Sequence, residues 1–474
     1  MSDSLLKMSS LLGSQNPSKD VSNILSSIVT FSDILKKASE TKILEFIKVI
    51  GKHKSSANEI KELKNGYFAS YGTDNRIMIY DRKFNLKSKE DDIGDWIYHI
   101  IEITNQEKME KDIEIIICTN ECLYLYQINI ENIEKNTSRL NKFEYGGVIC
   151  LEIKNNNYII CGDEGAYHFS DLFNKIIQTK KNKLFDGTYR GGFVINPNLV
   201  AFTSNRVIPG GEDKLKFYNP NSKKIVQDYS NYSFIMSSNG LALFENENKN
   251  SNKIFLAACK KYYSQQKNGI LLVVSSFREN ELSSAIFEET GNFEVYCFCL
   301  ISIIKNDNLS KKILDKEKDK EETIPTNFFF VGGFDADNRN GLIKLYKINF
   351  SEKIDDTNIE FIQDIIIEET IREFEIQEII EENKPIKNEN INKDNGDEKL
   401  SKSIEKIDDN LKQKLSQYTI NVLKERNTFN RFNGPITSII QSSSTGNILV
   451  TCNDGNVFLF TPPNLDYYLS NNIN

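Results

Sequence analysis

The stretch GKHKSSANEIKELKNGYFASYGTDNRIMIYD, residues 51–81, decides the fold. It reads as three short apolar runs separated by turns. Ile60 and Leu63 mark the first run, Phe68 the second, and Ile77 and Ile79 alternate in the third, while Asn65-Gly66 and Thr73 to Asn75 supply turn-forming residues. The unit then recurs. Later versions of its third run read CLYLYQ, GAYHFS, LKFYNP, ILLVVS, LIKLYK and NVFLFT, ending at Tyr126, Phe169, Tyr218, Val274, Tyr346 and Phe460. Counted from Tyr80, the spacings are 46, 43, 49, 56, 72 and 114 residues. The first three fit the roughly 40–45-residue period of a four-stranded propeller blade. The last two exceed it where charged segments sit, at residues 305–323 and 351–427, so loop insertions account for the drift.

Seven copies predict an all-β, seven-bladed propeller. The fifth, NGLALFENENKNSNKIFLAACKKYYSQQKNGILLVVS from Asn239, is irregular, which leaves six or eight blades open. The final copy, PITSIIQSSSTGNILVTCNDGNVFLFT, offers three strands and stops at Pro462-Pro463. KILEFIKVI, residues 42–50, is a spare strand able to complete that sheet. Such closure pairs edges that would otherwise be exposed. The propeller is thus expected over residues 42–462, between an N-terminal extension (1–41) and a short tail (463–474).

Two amphipathic helices are predicted outside the repeats. In the extension, Val21, Leu25, Ile28, Phe31 and Leu35 keep helical spacing. Within the acidic insertion, 383–427, a polar tether precedes Leu400, Ile404, Ile407, Leu411, Leu415, Tyr418 and Val422, which form one apolar stripe. That stripe either folds back on its own propeller or docks in a partner's groove.

Composition limits the function. The chain has 474 residues, 39% hydrophobic and 11% aromatic, enough to build a large core. Its net charge is -8, and residues 351–427 alone hold 20 acids against 12 bases. The remainder is neutral, without the basic footprint of a nucleic-acid binder. Eight scattered cysteines, no secretory leader and no run of about 18 apolar residues favour a reducing, cytoplasmic setting away from membranes.

The repeats resemble the WD-repeat β-propeller family. His53 stands near the family's Gly-His position, Ser70 and Asp74 at its Ser/Thr and Asp positions, and Tyr80-Asp81 replaces the terminal Trp-Asp. The resemblance implies a hydrogen-bond chain of His53, Ser70, Asp74 and Tyr80 that stiffens the first blade. Elsewhere the motif decays: Asp163 and Asp454 keep the turn acid, Asn120 substitutes for it, and the single tryptophan, Trp96, is not at a blade end.

Catalytic signals are sparse. With three histidines a His-based triad is disfavoured, and neither Cys118/Cys122 nor Cys297/Cys299 has a second pair at zinc-ribbon spacing. GGFDADNRNG lacks the glycine and glutamate of an EF-hand and reads as a hairpin turn. The paired glycines 146/147, 191/192, 210/211 and 332/333 match no phosphate-cradling loop and imply crowding or tight turns. No two arginines adjoin, unlike the phosphoinositide-binding propellers. No catalytic, metal or cofactor residue is assigned.

The expected function is a non-enzymatic, protein-binding scaffold, which family resemblance associates with signalling, trafficking, cytoskeletal or ubiquitin-ligase complexes. Arg76, Tyr189, Arg190 and Arg339 are candidate exposed loop anchors, because Arg and Tyr are enriched at interface hot spots; Leu400, Ile404, Ile407, Leu411, Leu415 and Tyr418 are helical candidates. The rivals are an enzyme using carboxylates at the channel mouth and a membrane-surface adaptor using clustered lysines.

Overall fold

The computed structural model describes residues 43–63, 66–90, 93–103, 112–129, 137–143, 149–154, 157–169, 183–204, 214–229, 232–234, 237–245, 253–261, 268–275, 282–288, 292–304, 323–349, 358–365 and 432–465. The chain divides into two units. One comprises Met1–Phe46, Ile367–Asn430 and Asn464–Asn474, in which the Asn464 amide donates to the Ile43 carbonyl at 2.9 Å. The other, Ile47–Ile366 with Arg431–Pro463, holds the sheets. Both predicted helices, including the stripe from Leu400 to Val422, lie outside the described residues.

Six sheets are regular four-stranded blades. The first contains Ala57–Glu62, Phe68–Gly72, Ile77–Tyr80 and Leu86–Glu90, side by side in chain order. Its two middle strands are buried at every residue, whereas Leu86–Glu90 is largely exposed, so apolar content falls from the centre outward. The innermost strands of the successive sheets are Ala57–Glu62, Ile97–Ile103, Ile149–Lys154, Gly191–Asn196, Leu241–Glu245, Phe293–Ile304 and Ile436–Gln441. Each touches the next, and Ile436–Gln441 touches Ala57–Glu62. The circuit is therefore closed, and the chain forms an all-β propeller.

Apolar side chains stick the sheets together face to face. Tyr71 and Ile79 of the first sheet share a cluster with Ile97, Ile115 and Tyr124 of the second, and Tyr80 shares another with Leu449 and Leu459 of the last. Each fully buried large side chain contributes about 1.5–3 kcal/mol relative to exposure. Between the last two sheets the contact is close enough to demand glycine: a Cβ on Gly332 would meet Cys297 Sγ at 2.6 Å and Ile436 Cγ2 at 2.7 Å. Crowding, not a turn, explains that glycine pair.

The last sheet runs Phe46–Lys52, Asn456–Phe460, Ile448–Cys452, Ile436–Gln441. Its outer strand thus comes from the other end of the chain. The closing strand is Phe46–Lys52, not 42–50, because the chain continues extended to Lys52 before His53 donates its amide to the Gly455 carbonyl at 2.8 Å. The charged-insertion boundaries also shift. Asn358–Ile365 is the outer strand of the sixth sheet, and Thr323 opens its second, because the apolar residues Ile359, Ile365 and Phe328 to Val331 are buried there.

The expectation of seven like blades requires correction at the irregular copy. That sheet has five strands: Tyr232–Phe234 and Leu241–Glu245 both pair with Lys253–Lys261, followed by Asn268–Ser275 and Leu282–Glu288. Phe234 lies opposite Cys259 and Leu241 opposite Ala257, so seven positions of chain advance while the partner moves by two. The innermost strand is interrupted by an excursion carrying a 3-10 turn, Ser238–Gly240, capped by the Ser237 side chain. Asn239 Nδ2 donates to the carbonyls of Thr437 at 3.0 Å and Asn58 at 3.3 Å. Those acceptors sit on the innermost strands of the last and first sheets, so the excursion lies inside the circuit.

Candidate functional site

Geometry in the first blade brings His53, Ser70, Asp74 and Tyr80 together. His53 Nδ1 lies 2.9 Å from Asp74 Oδ1, its Nε2 lies 3.0 Å from Ser70 Oγ, and that hydroxyl lies 3.0 Å from the Tyr80 hydroxyl. Asp74 also accepts the Lys54 amide at 2.8 Å. All four side chains sit at or near full burial. Strand register explains the assembly: Ser70 pairs with Met78, and Tyr80, two residues further on, sends its hydroxyl back across the sheet toward Gly51. A Cβ at position 51 would stand 2.1 Å from that oxygen, so only glycine leaves it room.

The four loop candidates separate. Arg76 is 4% exposed, and its Nε lies 3.7 Å from Asp74 Oδ2; it is part of the buried ionic group rather than a surface anchor. Tyr189 is fully buried, its ring edge-on to Phe185 and Phe202, because the connector entering the fourth blade dips between sheets. Arg339 is exposed, at a left-handed position (φ 56°) in the turn after Asp335. Asp335 there accepts the amides of Asp337 and Asn338, which makes the segment a capped hairpin turn.

Arg190 sits at the centre of a larger arrangement. Its guanidinium donates to both carboxylate oxygens of Asp163, at 2.9 and 3.1 Å, and to the Tyr98 hydroxyl at 3.2 Å. The same cation lies 5.0 Å from the Tyr98 ring centroid. Tyr98 reaches Asn120 Oδ1 at 3.5 Å, and the Asn120 amide donates to the Trp96 carbonyl at 3.1 Å. Trp96 is 50% exposed. Trp96 and Tyr98 enter the second blade's innermost strand, Asn120 and Asp163 occupy turns between middle strands of the second and third blades, and Arg190 precedes the fourth. Hydrogen bonds thus join residues of three blades on one propeller face. Trp96, Tyr98 and Asp163 were not among the sequence-based anchors. The one available signal was that this chain has a single tryptophan, placed in a connector.

Other reactive groups are enclosed. All eight cysteines are buried and none forms a disulfide, and burial pushes the Cys118 and Cys299 thiols up to about 12, so these two stay protonated. Among the described residues no three His, Cys, Asp or Glu converge to hold a metal. His99 is buried with Nδ1 3.6 Å from Glu59 Oε2, and that carboxylate also accepts the Tyr71 hydroxyl.

Acid should weaken the fold in two windows. Burial lowers His99 below its ordinary 6.5, with Glu59 opposing, and burial also lowers the half-buried His168. Below pH 6.5 the unfolded chain therefore takes up protons that the folded chain refuses, and stability falls as pH drops. For Asp74, burial alone raises the carboxyl, but His53, Lys54 and Arg76 together hold it below its ordinary 3.8. Its contribution is full above 3.8 and is lost as pH falls through the depressed value. Urea midpoints measured against pH should fall in both windows, and His99→Gln should flatten the upper one.

No family model matches the chain, and no curated protein matches it. Among solved structures it is similar to Raptor from Chaetomium thermophilum, at 11% identity and a TM-score of 0.46, over 89% of this chain and 30% of that one. The chain spans less than a third of Raptor's length.

Proposed function

We propose that this protein is a non-enzymatic scaffold for protein assembly, built on a seven-bladed WD-repeat-like ring in which the interrupted sheet serves as the seventh blade. The His53, Ser70, Asp74 and Tyr80 chain stiffens the first blade, and the face bearing Trp96, Tyr98 and Arg190 receives partner proteins. One observation carries the reading. A tyrosine and an arginine are held by side-chain hydrogen bonds across blades beside a half-exposed tryptophan whose backbone is bonded by Asn120, and these residue types dominate interface energetics. A cytoplasmic setting fits eight buried cysteines that form no disulfide. Among the described residues no helix is long and apolar enough to cross a membrane.

The test is affinity capture from the native cell with the intact chain and with the Trp96→Ala, Arg190→Ala variant, after matching their thermal melts. Loss of co-purifying proteins from the variant is the expected result. An identical set would remove this face from the function, and capture with a chain lacking 383–427 would then test the helical stripe.

A further inference from the structure

We propose that Trp96, which follows Asp95 and whose carbonyl is bonded by the Asn120–Glu121 turn, takes a lysine or arginine side chain from a basic segment of a partner protein. This deepens, and rests on, the scaffold reading above. The chain itself displays the chemistry. Arg190 is held by an aromatic face and a carboxylate at once, 5.0 Å from the Tyr98 centroid and 2.9 Å from Asp163. Next to that pair an exposed aromatic ring and acidic residues occur together again. Trp96 is 50% exposed, Asp95 precedes it and accepts its amide, and Glu121 follows Asn120, whose amide bonds the Trp96 carbonyl. Among the described residues no Lys or Arg lies over the Trp96 ring.

Charge on the surrounding loops points the same way. The connectors and turns that form this patch carry Asp95, Glu121, Asp163, Glu164 and Asp186. Among the described residues of these segments the bases are Lys183 and Arg190, already paired with Asp186 at 2.5 Å and with Asp163. A cation arriving there meets uncompensated carboxylates and the best of the aromatic faces for a cation. An acidic segment meets repulsion.

Because Trp96 is the single tryptophan, its fluorescence reports this site alone. The full chain is titrated with three synthetic twelve-residue peptides, one rich in lysine and arginine, one rich in glutamate and one neutral. The basic peptide should shift the emission saturably. Binding should weaken several-fold between low and physiological salt, and by roughly tenfold on changing Glu121 to Gln together with Asp95 to Asn. Melting curves for both proteins establish that the double variant is folded. A response to the acidic or neutral peptide instead would overturn the basic-segment proposal while leaving a binding face in place. Silence toward all three, or an equal response in the double variant, would also overturn it; the capture experiment above then judges the scaffold reading independently.

Discussion

Removal of residues 1–52 should leave aggregating material. Those residues include Phe46–Lys52, which lies beside Asn456–Phe460 as the fourth strand of the last sheet. Without it the sequence NVFLF becomes a sheet edge, and Val457, Phe458, Leu459 and Phe460, now buried, stand beside unpaired backbone. A short, uncharged, β-prone edge recruits other chains. The lost strand is a large share of a net stability that for domains in general is only about 5–15 kcal/mol. Light scattering coupled to size exclusion should show aggregates, and the cooperative melt should disappear. Adding a peptide of residues 43–54 during refolding should recover part of the monomer. A truncated chain that stays monomeric with an undiminished Tm means the ring does not depend on that strand.

His53→Ala should give a large point-substitution effect, about 1–3 kcal/mol for each buried group that loses its hydrogen-bond partner. Asp74 would keep the Lys54 amide and Arg76 but lose its 2.9 Å contact, and Ser70 would lose a 3.0 Å partner. Tyr80→Phe removes only the far end of the chain and should cost about 1 kcal/mol. Because the groups are linked in series, the double variant should be destabilised by less than the sum of the two. Urea denaturation of the four proteins measures this directly; strict additivity would mean that the contacts do not act as a chain.

The third runs were legible where their strands are buried on both sides. Ile77–Tyr80 is enclosed at every position, so sheet packing leaves an apolar, aromatic-ended signature that survives the loss of Trp-Asp. All seven terminal residues, from Tyr80 to Phe460, fall in third strands or their counterparts. The closing strand was legible for a different reason: three strands without a fourth leave an edge to be covered. What stayed hidden depends on tertiary placement. Tyr189 in GTYRGG has the composition of an exposed turn, and only the neighbouring sheets draw its ring inward. Arg190 meets Tyr98 across 92 residues of sequence, a distance at which no spacing pattern operates. The interruption at Ser238–Gly240 registers in sequence only as irregularity, because a strand and its detour share the same neighbours along the chain.

The detour through Asn239 gives this wheel a hub. Its side-chain amide ties innermost strands 181 and 198 residues away in sequence, a link from the interrupted sheet to the first and last that does not run around the circumference. A hollow wheel would let a slender polypeptide be threaded along its axle. Here the Ser238–Gly240 turn stands against the inner strands of the last and first sheets.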